Sequence, residues 1–266
     1  QVEAGTLEAC MSISNGQFAT SYYPDLGFLD IPYLFESADE AYELLNPEKD
    51  FFKDLQKNIA EKSGIRPLVF FNEGLRHITN SKHAIASKAD MNGLKMRVAG
   101  SQLLNRSYEL WGADYTNANW SEVFTALQTG TYDGQENPLP TADAASIQEV
   151  QSYLTYWTGA YDCLFFCMNA ELYNSLSPEL QAIVDEAGQA ACEYERELNR
   201  SQDQEIMDKW AEAGVEITEL TPEAAAEFAE ASAPVYDEFA DELTPELIEA
   251  FTSVTQADAG TTEPAA

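Results

Sequence analysis

The sequence has 266 residues, of which 45 % are hydrophobic and 23 % are charged, and the aromatic residues comprise 13 Phe, 13 Tyr and 4 Trp. This composition is typical of globular proteins and excludes a disordered chain, and the length allows one large domain or two medium ones. The 46 acidic residues outnumber the 14 basic ones and give a net charge of −32. Nucleic-acid binding is therefore excluded, because it requires a basic surface, and docking to anionic lipid is disfavoured.

Short apolar runs alternate along the chain with longer amphipathic segments, which predicts an α/β protein. The first half predicts a strand end over residues 28–32, a helix from the Ser37 capping box to Leu45, a buried strand over 67–71 and, after a turn, a strand over 94–98. Next come a helix capped by Ser101 that ends at Gly112, and a helix capped by Asn119 or Ser121 that ends at Gly130.

The second half predicts an apolar strand over residues 161–168 and then helices with a shared start signal. Ser177-Pro178-Glu179 combines a cap, a first-turn proline and an acid that faces the helix dipole. Because the next stop signal is Gly214, we expect one helix of about 54 Å between them. Two more helices are predicted to begin in the same way, at Thr221 and Thr244.

The cysteines and histidines give no sign of a metal centre or of catalysis. Cys163 and Cys167 lie in an apolar run without the spacing of a zinc site, so we interpret them as buried free thiols. The two histidines, His77 and His83, lie beside a turn and are interpreted as surface residues. Nucleophile-elbow, phosphate-loop and zinc-protease motifs are all absent from the sequence, so no catalytic residue, metal site or cofactor is predicted.

Two arginines are candidates for binding an anion. Leu94, Met96 and Val98 share one face of a predicted strand, so Arg97 points to the other face, near the strand's carboxyl end, where α/β sheets bind ligands. A guanidinium suits a carboxylate because it offers a planar fork of donors and keeps its proton. Arg76 is a second candidate. The alternative for both is a surface arginine paired with one of the many carboxylates.

Asn137 and Trp120 are candidates for the rest of a binding site. The proline that follows Asn137 restricts it to an extended conformation, which can hold its amide at a strand end; the alternative is an ordinary turn asparagine. Trp120 precedes a predicted helix. It is either a core aromatic or a flat wall for a ligand.

Several linked motifs occur in a defined order along the chain. They are residues 23–35, 93–98, 112–113, 120–130 and 133–138, followed by the Ser177-Pro178 helix start. In this order the chain resembles the solute-binding proteins of TRAP (tripartite ATP-independent periplasmic) transporters, of the dicarboxylate-binding-subunit type, from about residue 5 to residue 253. Linked motifs in the right order are far more specific than any one of them alone.

The resemblance implies an α/β, two-lobed periplasmic-binding-protein-like fold with a long helix spanning both lobes. The expected division is 1–73 with 162–201 as lobe I, 74–161 with 202–255 as lobe II, and 256–266 as a disordered tail. The strand, helix and second strand that open the family's fold are absent before Gly5. We therefore expect lobe I to be incomplete at its N-terminus.

The resemblance also assigns a role to each candidate residue. Arg97 matches the arginine that pairs with the substrate carboxylate, and Arg76 matches a second arginine that assists it. Asn137 matches an amide of the cleft, and Trp120 falls where the family often keeps an aromatic residue. The implied ligand is a small organic anion, captured by closure of the two lobes about a hinge.

The implied partners are that anion and the membrane subunits of a TRAP transporter. We expect an exported protein at the periplasmic or extracellular face of the cytoplasmic membrane, free or lipid-anchored, whose export signal lies outside this sequence. Two other functions are weighed against this one. The first is a small-acid hydrolase or isomerase with an acidic active site, and the second is a sensor lobe that signals on binding a ligand.

Overall fold

The computed structural model of the protein describes residues 1–35, 37–200 and 202–239. The strands that it describes are β1 (Ala9–Ser14), β2 (Ile65–Leu75), β3 (His77–Asn80), β4 (Lys95–Val98), β5 (Asp114–Asn117), β6 (Gly134–Asn137), β7 (Tyr153–Tyr156), β8 (Tyr161–Asn169) and β9 (Glu216–Glu219). The α-helices are α1 (Asn15–Ser21), α2 (Ala38–Leu44), α3 (Asp50–Ser63), α4 (Gln102–Leu110), α5 (Trp120–Gln128), α6 (Leu139–Ala144), α7 (Ala170–Ser175), α8 (Pro178–Arg200), α9 (Gln202–Glu212) and α10 (Pro222–Glu238).

The strands form two sheets. The first is antiparallel with the order β1-β8-β2, and the second has six strands in the order β5-β4-β6-β3-β7-β9. Within the second sheet, β4 runs parallel to both β5 and β6. The carboxyl ends of these three strands therefore meet at one edge of the sheet, which is where α/β proteins place ligand-binding side chains.

The chain passes between the two sheets at Arg76. This residue separates β2 of the first sheet from β3 of the second, and the return passage runs from β7 to β8. The backbone N–H of Arg76 donates to the carbonyl of Ala160 at 2.8 Å, which ties the two passages together. Arg76 thus lies at the junction of two α/β units, while the predicted lobe boundaries remain a prediction.

Side-chain caps begin the helices where the sequence predicts them. The Ser37 hydroxyl accepts from the Glu40 N–H at the start of α2, and the Ser101 hydroxyl accepts from the Leu104 N–H at the start of α4. Thr221 caps α10 in the same way. At the start of α5, Asn119 is the capping residue, but its side chain makes no capping hydrogen bond.

The prediction of a strand end over residues 28–32 is wrong. Residues Pro24–Asp30 form a 3₁₀ helix, with Pro24 at its first turn. A short apolar run does not distinguish a buried strand from a buried helical turn, and proline is favoured where a helix begins. Leu29 and Ile31 of this run are buried in the core of the first unit, so the apolar run does correspond to buried residues.

Two helices lie between Ser177 and Gly214, on either side of residue 201, which is outside the described residues. Helix α8 packs on β2 of the first sheet, whereas α9 packs on α6 and β9 of the second unit. Together they contact both units. The predicted helix start at Thr244 and the predicted tail over 256–266 also lie outside the described residues.

Aromatic rings contact one another in the cores of both units. Phe165 of β8 stacks on Phe18 with 4.8 Å between ring centroids, and Trp111 lies edge-on to Trp157 and Phe228 in the second unit. Cys163 and Cys167 are both buried, as predicted. Within residues 1–35, 37–200 and 202–239, no helix combines the length and the apolar character needed to cross a membrane.

Candidate ligand-binding site

Arg97 is a buried cation whose hydrogen bonds go to a carbonyl. It lies on β4 and is only 3 % exposed, although it faces away from the neighbouring core residues Met96 and Val98. Its Nε and Nη2 atoms donate to the carbonyl oxygen of Ala118, at 3.0 and 2.8 Å. Among the described residues it forms no ion pair with a carboxylate. Arg97 is therefore not a surface arginine paired with an acid, which was the alternative interpretation.

Trp120 flanks this guanidinium. The parallel strand β5 ends beside β4, and the chain then turns through Ala118 into α5, whose first residue is Trp120. The guanidinium carbon of Arg97 lies 5.6 Å from the centroid of the Trp120 ring. Trp120 is half-buried and also packs against the core cluster around Val123 and Leu127, so it is both a core neighbour and a partly open aromatic surface.

Strand β6 carries the polar residues of the run from Gly134 to Pro138 into the middle of the second sheet. Gly134 is required there because a Cβ would collide with the carbonyl oxygen of Thr79 and with the thioether of Met96. Glu136 is fully buried, and its Oε1 accepts from the N–H of Ala99 at 3.1 Å, just beyond β4. Glu136 therefore connects the end of β4 to the junction between the units.

Arg76 makes four hydrogen bonds to buried acceptors. Its Nε pairs with the Glu136 carboxylate and its Nη1 with the Asp162 carboxylate. Its Nη2 donates to the Glu136 carbonyl oxygen at 2.9 Å and to Oδ1 of Asn137 at 3.1 Å. Arg76 is 2 % exposed, so these contacts are made out of water, where ion pairs with additional hydrogen bonds are strongest.

Burial shifts the pKa values of the ionisable groups at this junction. Burial raises the pKa of Asp162 to about 7 despite the neighbouring Arg76. It likewise raises the pKa of Asp30 to about 7, although a hydrogen bond with Ser101 acts in the opposite direction. For Arg97, burial lowers the pKa from its usual range, because the charged form has lost water without gaining a paired carboxylate.

The structure brings the predicted site residues together in two pairs. Arg76 contacts Asn137 directly, and Arg97 contacts Trp120. Glu136 connects the pairs, because it binds Arg76 through one carboxylate oxygen and the backbone at the end of β4 through the other. Whether these four residues bind a ligand stays a prediction.

Sequence reasoning missed the acidic members of this cluster. Glu136 stands in the quoted motif beside Asn137, so it could have been included. Asp162 is the second residue of an apolar strand, and a charged residue at that position was a signal of a buried partner. Its partner Arg76 is 86 residues away in sequence, and no local pattern identifies it.

The interpretation of His77 as a surface residue is wrong, whereas His83 is exposed. His77 is 1 % exposed, stacks on Tyr156 with 4.2 Å between ring centroids, and has its Nε2 atom 3.8 Å from a carboxylate oxygen of Asp203. Burial lowers its pKa, so the neutral imidazole is favoured. A histidine beside a turn gives no local sign of a partner on a distant strand.

Two cavities adjoin the junction. One of about 140 Å³ lies between residues 16–30 and the start of α4, where Asp30, Ser101 and Leu103 line it. The other, of ≈ 360 Å³, lies between β2 and α8, and its walls include Asn72, Tyr156 and Arg196. Neither lining includes Arg97 or Arg76. The larger cavity lies beside helices α8 and α9 and is lined by neither of these two arginines. We therefore place the candidate site at the two guanidinium groups and not at a cavity.

The donor set at this junction does not suit a metal ion. Among residues 1–35, 37–200 and 202–239, no group of three or more His, Cys, Asp or Glu side chains is arranged to hold one. The carboxylates of Glu136 and Asp162 instead share the guanidinium of Arg76. The junction is therefore a network of organic cations and anions.

Two α/β units joined by exchanging strands and by paired helices define the two-lobed class of periplasmic solute-binding proteins. Solved structures of that class superpose closely on the chain. The sugar-acid-binding protein of Advenella mimigardefordensis in complex with galactonate has a TM-score of 0.89 at 27 % identity, over 96 % of this chain and 81 % of that one. A succinate-bound TRAP solute-binding protein from Sulfurospirillum deleyianum has a TM-score of 0.85 at 29 % identity, over 95 % and 82 %.

The chain belongs to the DctP family, the bacterial extracellular solute-binding proteins of family 7, whose model matches residues 1–243. The 2,3-diketo-L-gulonate-binding periplasmic protein YiaO of Escherichia coli is 34 % identical over 216 residues, which are 81 % of this chain and 64 % of that protein. The C4-dicarboxylate-binding periplasmic protein DctP of Rhodobacter capsulatus is 28 % identical, over 87 % of this chain and 68 % of that protein. The chain thus spans about two thirds of the length of these relatives, which are named as binding proteins and not as enzymes.

Proposed function

We propose that this chain is part of the extracytoplasmic solute-binding protein of a TRAP transporter and captures a small organic acid without transforming it. Family membership supports this function, and so do the solved relatives, which hold galactonate and succinate. The single observation that carries the proposal for this chain is the state of Arg97. It is a cation, 3 % exposed, without an ion pair among the described residues.

An unpaired buried cation is costly in a protein of this composition. The sequence contains 46 acidic residues, yet the described contacts of this guanidinium are a carbonyl oxygen and an aromatic ring. Burying a charge without an opposite charge costs several kcal/mol, in the range of about 3–5 kcal/mol when a partner is removed. A ligand carboxylate would supply the missing partner.

The net charge of −32 does not prevent the capture of an anion. Surface carboxylates beyond a Debye length of about 8 Å are screened by salt, whereas a group in contact with Arg97 is not. Closure of the two units would then exclude water and strengthen the pair, because the attraction grows as the effective dielectric constant falls. The closed form would be recognised by the membrane subunits, on the periplasmic or outer face of the cytoplasmic membrane.

Calorimetry of the purified protein against a panel of carboxylic acids tests this function. We expect at least one acid to bind without turnover, and Arg97→Ala to lose about 2–5 kcal/mol of binding free energy. Arg106→Ala is the matched control, because Arg106 is a partly exposed residue of α4 that pairs with Glu109 and Glu238 at the surface. Unchanged affinity in Arg97→Ala, or conversion of the acid to a product, would contradict the proposal.

A further inference from the structure

The two guanidinium groups of the candidate site are in opposite electrostatic states. Arg97 has no ion pair among the described residues, whereas Arg76 pairs with both Glu136 and Asp162. With Glu136 and Asp162 ionised, these four groups carry two positive and two negative charges. The site therefore contains one guanidinium that is available to an anion and one that is already overcompensated.

The hydrogen bonds of Arg76 leave little for a ligand. Its Nε, Nη1 and Nη2 atoms are all engaged with Glu136, Asp162 and Asn137. Engaging a second ligand carboxylate would mean breaking a buried ion pair and would leave a buried carboxylate without its partner. The free-energy cost of breaking such a pair is large, because the carboxylate that loses its partner remains shielded from water.

Asp162 gives the ion-pair cluster around Arg76 an excess of negative charge. A single carboxylate, Glu136, would balance the charge of Arg76, and Asp162 adds a second. One oxygen of Asp162 binds Arg76, and the other, Oδ1, is buried and has no hydrogen-bond partner among the described residues. A hydroxyl group could donate to this oxygen, whereas a carboxylate would be repelled by it.

We propose that Asp162 is a specificity-determining residue that makes this site select hydroxylated monocarboxylates and reject dicarboxylates. The inference rests on the proposed function, because it assumes that Arg97 receives the ligand's carboxylate. The remainder of the ligand would then lie near Arg76 and its two carboxylates, which together carry no net positive charge. Oδ1 of Asp162 is the acceptor that a ligand hydroxyl could use. Relatives with the same fold hold galactonate in one case and succinate in another, so the fold alone does not decide between the two kinds of acid.

The test compares acids that differ at one carbon atom. Glycerate and tartronate form one matched pair, and gluconate and glucarate form another; in each pair a CH2OH group is replaced by a carboxylate. Affinities are measured by calorimetry at about pH 8, where Asp162 is mostly ionised because burial raises its pKa only to about 7. We expect the monocarboxylate to bind at least about tenfold more tightly in a pair that fits the site.

The variant Asp162→Asn keeps the shape of the side chain and removes its charge. We expect it to bring the ratio of the two affinities to within about threefold, mainly because the dicarboxylate binds better. Glu73→Gln is the control, since Glu73 lies close enough to raise the pKa of Asp162 but bonds to Thr141 instead of Arg76. This control is expected to leave the preference in place.

The outcomes separate this inference from the function on which it rests. Equal or tighter binding of the dicarboxylate by the unmodified protein overturns the inference, whether or not Asp162→Asn folds. An unchanged ratio in a folded Asp162→Asn variant, checked by circular dichroism, also overturns it. If none of the acids binds, or if Arg97→Ala binds them all as the unmodified protein does, it is the proposed function that fails.

Discussion

The guanidinium of Arg97 lies against the ring of Trp120, with 5.6 Å between the guanidinium carbon and the ring centroid. Such a contact is attractive because the ring face carries a partial negative charge, and it holds the guanidinium plane in place. Arg97 lies on β4, and Trp120 begins α5, the helix that follows the neighbouring parallel strand β5. Trp120 thus orients the cation that we propose for ligand capture.

Replacing Trp120 by alanine is expected to weaken the binding of a cognate acid by about 3- to 30-fold, because the cation–π contact and a wall of the site are lost. Trp120→Phe should retain part of the affinity. Calorimetry measures both variants, and Tyr194→Ala, on the exposed face of α8, is the control. An affinity in Trp120→Ala equal to that of the unmodified protein would show that Trp120 belongs to the core alone.

The same tryptophan should report binding by fluorescence. Trp111, Trp157 and Trp210 are at most 1 % exposed, whereas Trp120 is half-buried. A ligand that pairs with Arg97 would change the surroundings of Trp120 more than those of the other three. We expect a saturable change in emission on titration with the acid, and we expect Trp120→Phe to abolish most of it; a change that persists in that variant would contradict the assignment.

The substitution Asn137→Asp is expected to weaken anion binding by about tenfold or more. Asn137 accepts from Arg76 through Oδ1 and donates to Oε1 of Gln135 through Nδ2 at 2.6 Å. Aspartate would preserve the first contact, lose the second, and add a negative charge beside the junction. Because like charges repel strongly when buried, the affinity should fall and its dependence on salt should change. Retained affinity for the acid would remove Asn137 from the site.

The stability of the protein should fall as the pH rises from about 4 to about 7. Burial raises the pKa of Asp30 to about 7, above its value near 4 in an unfolded chain, so the folded state holds a proton that the unfolded state releases. This contribution is complete below about pH 4 and is lost as the pH rises through 7. Each pKa unit corresponds to about 1.4 kcal/mol, so the loss is a few kcal/mol at most.

Urea unfolding over this pH range measures the free energy of unfolding at each pH. Asp30→Asn should make this free energy depend less steeply on pH. His77 acts in the opposite sense, because burial lowers its pKa and it loses stability as the pH falls below its unfolded value of about 6.5. A His77→Gln variant separates this contribution from those of the buried carboxylates Asp30 and Asp162, whose pKa values burial raises to about 7. A slope that is the same in Asp30→Asn and in the unmodified protein would contradict the assignment to Asp30.

Gly134→Ala is expected to destabilise the protein by about 1–3 kcal/mol, because overpacking forces neighbouring atoms apart. A Cβ at this position would meet the carbonyl oxygen of Thr79 and would lie 2.9 Å from the thioether sulfur of Met96. Gly188→Ala in α8 is the control: its Cβ would lie 3.3 Å from a methyl of Val69, and alanine favours the helix. Equal urea midpoints for the two variants would contradict the role of Gly134.

Local sequence signals predicted the strands and helix starts correctly where the chemistry is local. Ser37, Ser101 and Thr221 cap helices because their hydroxyls bond to N–H groups three residues on, and this spacing can be read directly. The 3₁₀ helix Pro24–Asp30 was missed because an apolar run of this length fits either a strand or a helical turn.

The candidate site was only partly predictable for a different reason. The strand-end position of Arg97 followed from the alternation of apolar residues around it, but the neutralisation of Arg76 did not. Its partners Glu136 and Asp162 are 60 and 86 residues away, so their proximity depends on how two passages between sheets come together. The burial of His77 against Tyr156 arises in the same way.

A crystal structure of the protein with a bound organic acid tests the central claim most directly. We predict that the acid's carboxylate lies within hydrogen-bonding distance of the Arg97 guanidinium, at about 2.7–2.9 Å, with Trp120 alongside. The remainder of the ligand should lie near Asn137, and the Arg76 ion pairs should remain intact. A carboxylate bound elsewhere, with Arg97 still directed only at the carbonyl of Ala118, would contradict the proposed mechanism of capture.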